Sequence, residues 1–146
     1  MAYDDDKQPE STVWYLDSGC STHMTGRKDW FVRMQKVKNR KIKFADNSSL
    51  EAECSGRVAL RGEDGREVVI EEVLYVPGLK TNLLSLGQLL QKGYVMKMEN
   101  NGLSIFNQEG KEVIQAEISQ NRTFKVVMEA VDHHCFTAAE EGNEWL

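Results

Sequence analysis

Three consecutive residues, Asp17, Ser18 and Gly19, have the types and spacing in this sequence that best suit chemistry. A carboxylate can take up and release a proton, so Asp17 could serve as an acid or a base in hydrolysis. Ser18 can hydrogen-bond locally and Gly19 allows close backbone approach, so the carboxylate is expected on a stiff loop. Asp-Ser-Gly is also ordinary turn sequence, and taken alone that interpretation is favoured.

The element before this tripeptide is predicted to be a buried strand that delivers the carboxylate at its end. Residues 13–16 are bulky or aliphatic, and this pattern stops abruptly at Asp17. Downstream, residues 73–78 predict a strand and a tight turn, and residues 82–84 predict a buried apolar strand. The sequence therefore has two apolar strands that are far apart in the chain and both end in polar residues.

A short helix is predicted directly after the second apolar strand, over residues 85–92, with a stop at Gly93. Leu86, Leu89 and Leu90 are expected on its inner face.

These two segments together resemble a known family. Residues 14–24 read Trp-Tyr-Leu-Asp-Ser-Gly-Cys-Ser-Thr-His-Met, and residues 82–89 read Asn-Leu-Leu-Ser-Leu-Gly-Gln-Leu. This pairing resembles the retropepsin-like aspartic protease region of copia-type LTR-retrotransposon Gag-Pol polyproteins, over roughly residues 13–128. The resemblance implies an all-β fold, a closed β-barrel of the single-lobe acid protease type with one short helix.

The resemblance also implies a mechanism that needs two chains. Two carboxylates that share one proton can activate water and protonate the leaving amide, but the sequence contains one Asp-Ser-Gly. A homodimer is therefore expected, with Asp17, Ser18 and Gly19 as the catalytic residues of each subunit: Asp17 meets its symmetry mate, and Ser18 hydrogen-bonds across the two-fold axis and braces the two loops. The expected substrate is an extended polypeptide at a polyprotein junction, with no cofactor and no metal.

A hairpin between the two motifs stands where the resemblance places the protease flap. Residues 41–45 alternate polar and apolar side chains, and residues 50–60 continue as a strand with a bend or bulge at Gly56. The turn between them is predicted to bind substrate through four residues, Asp46, Asn47, Ser48 and Ser49.

Two departures from the retroviral pattern concern dimerisation. Ser85 and Leu86 stand where retroviral proteases have Gly and Arg, and Ser21 stands where they have the Asp that pairs with that Arg. Because both halves of this ion pair are missing, the dimer is expected to be weak or conditional. The alternative is a catalytically inactive, monomeric β-barrel scaffold module of the polyprotein, which the intact Asp-Ser-Gly opposes.

Composition excludes several other classes of protein. A net charge of −5 argues against nucleic acid as a partner, and the basic run at residues 36–43 is interpreted as a solvated strand edge. No apolar stretch approaches a membrane span, and no signal peptide is apparent. Three cysteines without a Cys-x-x-Cys motif suit a reducing compartment. The expected location is cytoplasmic, with the polyprotein or a virus-like particle.

Cys20 and His23 raise two other possibilities. A zinc site would need four ligands, and the remaining candidates, Cys54 and the His133-His134-Cys135 cluster, lie in unrelated segments. A cysteine protease would leave Asp17 unexplained. His23 is instead expected to cap or pack against the Asp17 loop.

The rest of the chain is divided by composition. Residues 1–12 are expected to be a flexible acidic leader, residues 13–128 the domain, and residues 129–146 a polar linker toward the next polyprotein segment. A second hairpin is expected around residues 62–65. After Gly93, four short strands are predicted, at residues 94–99, 103–107, 112–118 and 123–128.

Overall fold

The computed structural model describes residues 12–131, and β-strands make up most of this part of the chain. Its strands are β1 (Val13–Asp17), β2 (Met24–Thr25), β3 (Phe31–Lys43), β4 (Ser49–Gly62), β5 (Glu67–Tyr75), β6 (Asn82–Ser85), β7 (Val95–Glu99), β8 (Gly102–Phe106), β9 (Glu112–Ile118) and β10 (Phe124–Ala130). A 3₁₀ turn spans Lys28–Trp30, and helix α1 spans Leu86–Gln91. The predicted all-β class with one short helix is confirmed for the described residues.

The strands form one sheet in the order β3-β4-β5-β2-β6-β1-β10-β9-β8-β7. Strand β10 also pairs with β4, with Met128 opposite Gly62. Six strands (β4, β5, β2, β6, β1 and β10) therefore follow one another in a hydrogen-bonded ring, and β3 and β7 are the edges of the order. No helix among residues 12–131 has the length and apolar character needed to cross a membrane.

Two groups of buried side chains fill the domain. The larger contains Trp14, Leu16 and Leu84 from β1 and β6, together with residues from β4, β5, α1, β8, β9 and β10. The ring centroids of Trp14 and Trp30 lie 5.8 Å apart, so the 3₁₀ turn places an aromatic side chain in this core. The smaller group lies beside the β3–β4 hairpin and is made by Met24, Ala52, Leu74, Val76 and Leu79.

The β3–β4 hairpin has the predicted turn but a longer first strand. Strand β3 begins at Phe31, ten residues before the predicted strand. Its pairing with β4 is irregular between Phe31 and Arg33 and between Lys36 and Arg40. These irregularities interrupt the alternation of polar and apolar side chains by which a strand is recognised in a sequence. The pattern therefore does not predict the first part of β3. The basic run lies on an edge strand, as predicted.

The bulge predicted at Gly56 is confirmed. The register of β4 against β5 shifts between Gly56 and Val58. On its other side β4 pairs with β3, and a Cβ atom at Gly56 would collide there with the backbone carbonyl of Arg33. Only glycine therefore fits at this position between β3 and β4.

Helix α1 agrees with its predicted range once its two caps are included. The Ser85 hydroxyl accepts the backbone N–H of Gln88 at 3.0 Å and caps the N-terminus. The inner face is partly wrong, because Leu90 is 56 % exposed whereas Gln88 is only 8 % exposed. The carboxamide of Gln88 has hydrogen-bond partners in the interior, so a polar residue occupies the position that the apolar pattern assigned to leucine.

Candidate active site

Asp17 ends β1 beside the end of β6. The two strands are parallel, with Asp17 opposite Ser85. On its other side β6 pairs with β2, where Met24 lies opposite Leu83. Strand β6 thus separates β1 from β2, and residues 17–23, here called the Asp17 loop, connect the two strands around its end. The expected position of the carboxylate at the end of a strand is confirmed.

The Asp17 carboxylate is held by its own loop. Its Oδ1 atom accepts the backbone N–H of Gly19 at 2.8 Å. Asp17 is half-buried, and Ser18 and Gly19 are exposed. Within residues 12–131 no ion pair involves Asp17. The loop therefore presents one unpaired, partly solvated carboxylate with a fixed orientation.

The far end of the loop is fixed by three buried residues that form a closed cycle of hydrogen bonds. His23 donates its backbone N–H to Oε1 of Gln88 at 2.9 Å. Gln88 donates its backbone N–H to the hydroxyl of Ser85 at 3.0 Å. Ser85 in turn donates its backbone N–H to Nδ1 of His23 at 2.9 Å. We call this arrangement the His23–Ser85–Gln88 cycle. His23 is expected from the sequence to cap or pack against the Asp17 loop; the observed partner of its imidazole is the backbone N–H of Ser85, at the end of β6.

The same cycle extends to strand β5. Gln88 donates its side-chain amide to the backbone carbonyl of Glu72 at 3.1 Å. Glu72 has a φ of 57°, and it lies where β5 bulges against β4. The Glu72 carboxylate pairs with Lys92 at 2.9 Å. The second motif thus connects the Asp17 loop to a kinked strand of the ring.

His23 is neutral at physiological pH. Burial is the main cause that lowers its pKa from 6.5 to about 4. The charge of Glu72 raises this pKa by a smaller amount, and the charge of Lys92 lowers it. Since Nδ1 accepts a hydrogen bond, the ring proton is on Nε2. This engaged and buried imidazole is a poor candidate for a metal ligand.

The surroundings of Cys20 disfavour a role as a nucleophile. Burial raises the pKa of its thiol, the hydrogen bond to Thr22 opposes this rise, and the charge of Asp17 adds to it. The thiol donates to the backbone carbonyl of Thr22 at 3.0 Å. A raised pKa disfavours the thiolate that cysteine catalysis requires.

The described residues include no group of three or more His, Cys, Asp or Glu side chains that could hold a metal ion. The cluster at residues 133–135 lies outside the described residues.

A second buried polar contact joins the three strands around the loop. Thr25 donates its hydroxyl to Oδ1 of Asn82 at 2.7 Å. Asn82 donates its side-chain amide to the backbone carbonyl of Val13 at 3.0 Å. The sequence reasoning missed this contact, although a polar Asn at the start of an apolar strand is the signal that could have shown it.

The β3–β4 hairpin contacts the Asp17 loop through its stem. Arg40 donates to the hydroxyl of Thr22 at 3.2 Å. Cys20 of the loop packs against the smaller core, together with Ile42, Phe44 and Leu50 of the hairpin. The stem is therefore adjacent to the candidate site.

The tip of the hairpin, formed by the predicted substrate-binding residues 46–49, is exposed and held by local bonds. Asp46 accepts hydrogen bonds from the side chain and the backbone of Ser48, at 2.6 and 2.9 Å, and these bonds lower the pKa of its carboxyl. Among the described residues, no hydrogen bond joins residues 46–49 to residues 17–19. The structure thus brings the stem to the site and leaves the tip free of it.

Comparison with known proteins gives one family. Residues 14–94, more than half of the 146-residue chain, match a family described as "Pol polyprotein, beta-barrel domain". The matched part runs from β1 to the residue before β7 and includes both the Asp17 loop and the His23–Ser85–Gln88 cycle. No curated protein matches the sequence.

Proposed function

Because this chain belongs to the family of Pol polyprotein beta-barrel domains, we propose that it is an aspartic endopeptidase subunit that processes the polyprotein of a copia-type retrotransposon. The observation that carries the proposal is the geometry of Asp17. Its carboxylate stands at the end of β1, oriented by the Gly19 N–H and flanked by exposed residues. A second chain can therefore approach it without any rearrangement of the core.

The proposed reaction uses Asp17 from each of two subunits. Two carboxylates in close contact cannot both be ionised cheaply, so the pair holds one proton between them. The ionised carboxylate takes a proton from water as the water oxygen bonds to the carbonyl carbon of the peptide. The protonated carboxyl supports the developing oxyanion, and the leaving nitrogen takes up a proton as the C–N bond breaks. Ser18 of each subunit hydrogen-bonds across the two-fold axis and braces the two loops.

The proposed substrate is a polypeptide in extended conformation. It lies between the paired Asp17 loops and the β3–β4 hairpin, whose tip at residues 46–49 closes over it. The stem of this hairpin already contacts the loop through Arg40 and Thr22, which supports a role next to the cleaved bond. The polyprotein is expected to be cleaved in the cytoplasm, where it is made.

The second candidate is an inactive monomeric scaffold module of the polyprotein. One observation favours it, namely the burial of Leu86, which is 9 % exposed. Retroviral proteases, which the sequence resembles, have at this position the arginine of an ion pair between loops. A buried leucine cannot replace that charge. Self-association then rests on fewer polar contacts.

Sedimentation velocity over a wide range of protein concentration, together with a cleavage assay, separates the two candidates. The substrate probe is a library of quenched-fluorescent peptides at pH 5 to 7, with pepstatin as inhibitor. The protease interpretation requires a dimer and pepstatin-sensitive cleavage whose rate rises more steeply than the protein concentration. A chain that stays monomeric at high concentration and cleaves no peptide is the scaffold module.

A further inference from the structure

Both ends of the Asp17 loop contact the same residue, Ser85. At its start, Asp17 is the strand partner of Ser85 across the parallel β1–β6 pair. At its end, the imidazole of His23 accepts the backbone N–H of Ser85 at 2.9 Å. Two contacts with one residue of the second motif therefore hold the ends of the loop, in addition to the backbone bond from Leu74 to the carbonyl of His23.

The contact with His23 is well protected from water. His23 is 1 %, Ser85 0 % and Gln88 8 % exposed. In their cycle each residue gives its backbone N–H to the side chain of the next, so all three of these backbone N–H groups are paired. Water cannot replace a bond that is lost there, and the remaining partner would stay buried without a partner.

We propose that His23 is the positioning residue of this site: by accepting the Ser85 N–H, it fixes the Asp17 loop so that the carboxylate faces its partner. The proposal rests on the proposed function, in which Asp17 is catalytic. Acting through the loop, His23 need not touch the substrate. The local bond from Gly19 orients the carboxylate relative to the loop, and His23 places the loop relative to β6.

Such a role has a large effect on rate because catalytic groups tolerate little displacement. Carboxylates that share a proton must stay within hydrogen-bond reach, and a displacement of about 1 Å can cost about a hundredfold in rate. In a two-fold symmetric dimer any displacement occurs twice. A change at His23 is therefore expected to lower kcat far more than it changes KM, because the β3–β4 hairpin, which also binds the peptide in the proposed complex, stays in place.

Three variants distinguish positioning from general stabilisation. His23→Asn keeps an acceptor, because Oδ1 of Asn is the same number of bonds from the backbone as Nδ1 of His. His23→Leu removes the acceptor and keeps similar bulk. Gln88→Met removes the acceptor of the His23 N–H and leaves the imidazole in place. Leu103→Ala, in a fully buried position on β8, is the matched control for lost stability.

The first readout does not depend on cleavage. The amide of Gly19 donates to Asp17, so its chemical shift and ¹⁵N order parameter report the carboxylate's position. We expect the order parameter to fall from the rigid range near 0.85 to below about 0.6 in His23→Leu and Gln88→Met. His23→Asn and Leu103→Ala should keep the wild-type signal. A Gly19 signal unchanged in both His23→Leu and Gln88→Met would overturn the proposal.

The second readout is kinetic and uses the same quenched-fluorescent peptides. We expect His23→Leu to lower kcat at least about tenfold with KM within about twofold of wild type, and His23→Asn to restore most of kcat. Equal losses in His23→Asn and His23→Leu would contradict positioning through the acceptor. If the wild-type protein cleaves nothing, the proposed function fails, and the Gly19 signal still decides whether His23 fixes the loop.

Discussion

Ser85 donates its backbone N–H to the imidazole of His23 across 62 positions of sequence, at 2.9 Å. The bond joins the Asp-Ser-Gly segment to the helix segment, the two parts of the chain on which the resemblance to retropepsins depends. Their sequences therefore have a common physical role, because neither segment completes its buried hydrogen bonds without the other.

Replacement of Asp17 by Asn is expected to abolish cleavage and to preserve the fold. Asn keeps an oxygen that can accept the Gly19 N–H, but it cannot take a proton from water. The expected change in the free energy of unfolding is within about 1 kcal/mol, since the residue is half-buried and unpaired. Peptide cleavage and urea unfolding measure the two effects.

The matched control for that variant is Asp64→Asn. Asp64 lies in the β4–β5 turn and likewise accepts a backbone N–H two residues on, from Arg66 at 3.0 Å. This variant should cleave peptides at the wild-type rate. Full activity in Asp17→Asn would refute the assignment of the catalytic carboxylate.

Stability is expected to fall as the pH falls from 6.5 to about 4. The pKa of His23 is lowered by burial from 6.5 to about 4, so in this window the unfolded chain binds more protons than the folded chain. The contribution of His23 is thus fully present above pH 6.5, and about 3 kcal/mol of it is lost by pH 4. Glu72 and Lys92 are the charged groups that act on this titration. Urea unfolding at a series of pH values measures the loss.

His23→Asn is the control for the pH effect, since Asn does not titrate. The difference in unfolding free energy between wild type and this variant should change with pH between 6.5 and 4 and be constant above that range. Parallel curves for the two proteins across the whole range would show that the titrating group is another one.

Removal of the Asn82 amide is expected to destabilise the junction of β1, β2 and β6. Asn82→Leu has similar size but loses the bonds to the Thr25 hydroxyl and the Val13 carbonyl, at 2.7 and 3.0 Å. The buried Thr25 hydroxyl then lacks its acceptor, and the expected cost is about 2–3 kcal/mol. Thr25→Val in the same background should recover part of this loss, because the hydroxyl in need of an acceptor is gone. Additive losses in the double variant would argue against a direct Thr25–Asn82 interaction.

Two glycine substitutions should change stability in opposite directions. In Gly56→Ala the new Cβ meets the Arg33 carbonyl, so the β3–β4 hairpin must open there at a cost of about 1–3 kcal/mol. In Gly87→Ala the new Cβ lies at an exposed position of α1 and makes an ordinary contact with the Ser85 hydroxyl at 3.9 Å. Because alanine has a greater helix propensity than glycine, this variant should be more stable to unfolding by about 0.5–1 kcal/mol. Thermal unfolding of both variants measures the signs, and a neutral Gly56→Ala would contradict the close strand approach.

The features that the sequence could predict are those set by neighbouring residues. The end of β1 at Asp17, the turns and the caps of α1 all follow from short patterns of apolar, glycine and hydroxyl residues. The turn of β7–β8 is an example, since Asn100 and Asn101 both have positive φ, of 53° and 63°, which Asn tolerates better than most residues. The hydrogen bond between Asp17 and Gly19 belongs to the same class.

The features that it could not predict depend on residues far apart. Gln88 is buried in place of Leu90 because its amide reaches His23 and Glu72, which only the folded sheet brings near. The first part of β3 was missed because its irregular pairing with β4 removes the alternation of side chains. Hydrogen-bond partners tens of residues away leave no local signal in a single sequence.

The parallel pairing of β1 with β6 also governs when the site can exist during translation. A ribosome that has released only the residues up to the end of β5 has made the whole loop that carries the acid, but not the strand beside which it is anchored. Such late, long-range closure makes assembly slow relative to the hairpins that form on the way. The loop that carries Asp17 therefore reaches its anchored position only after the segment around Ser85 has left the exit tunnel.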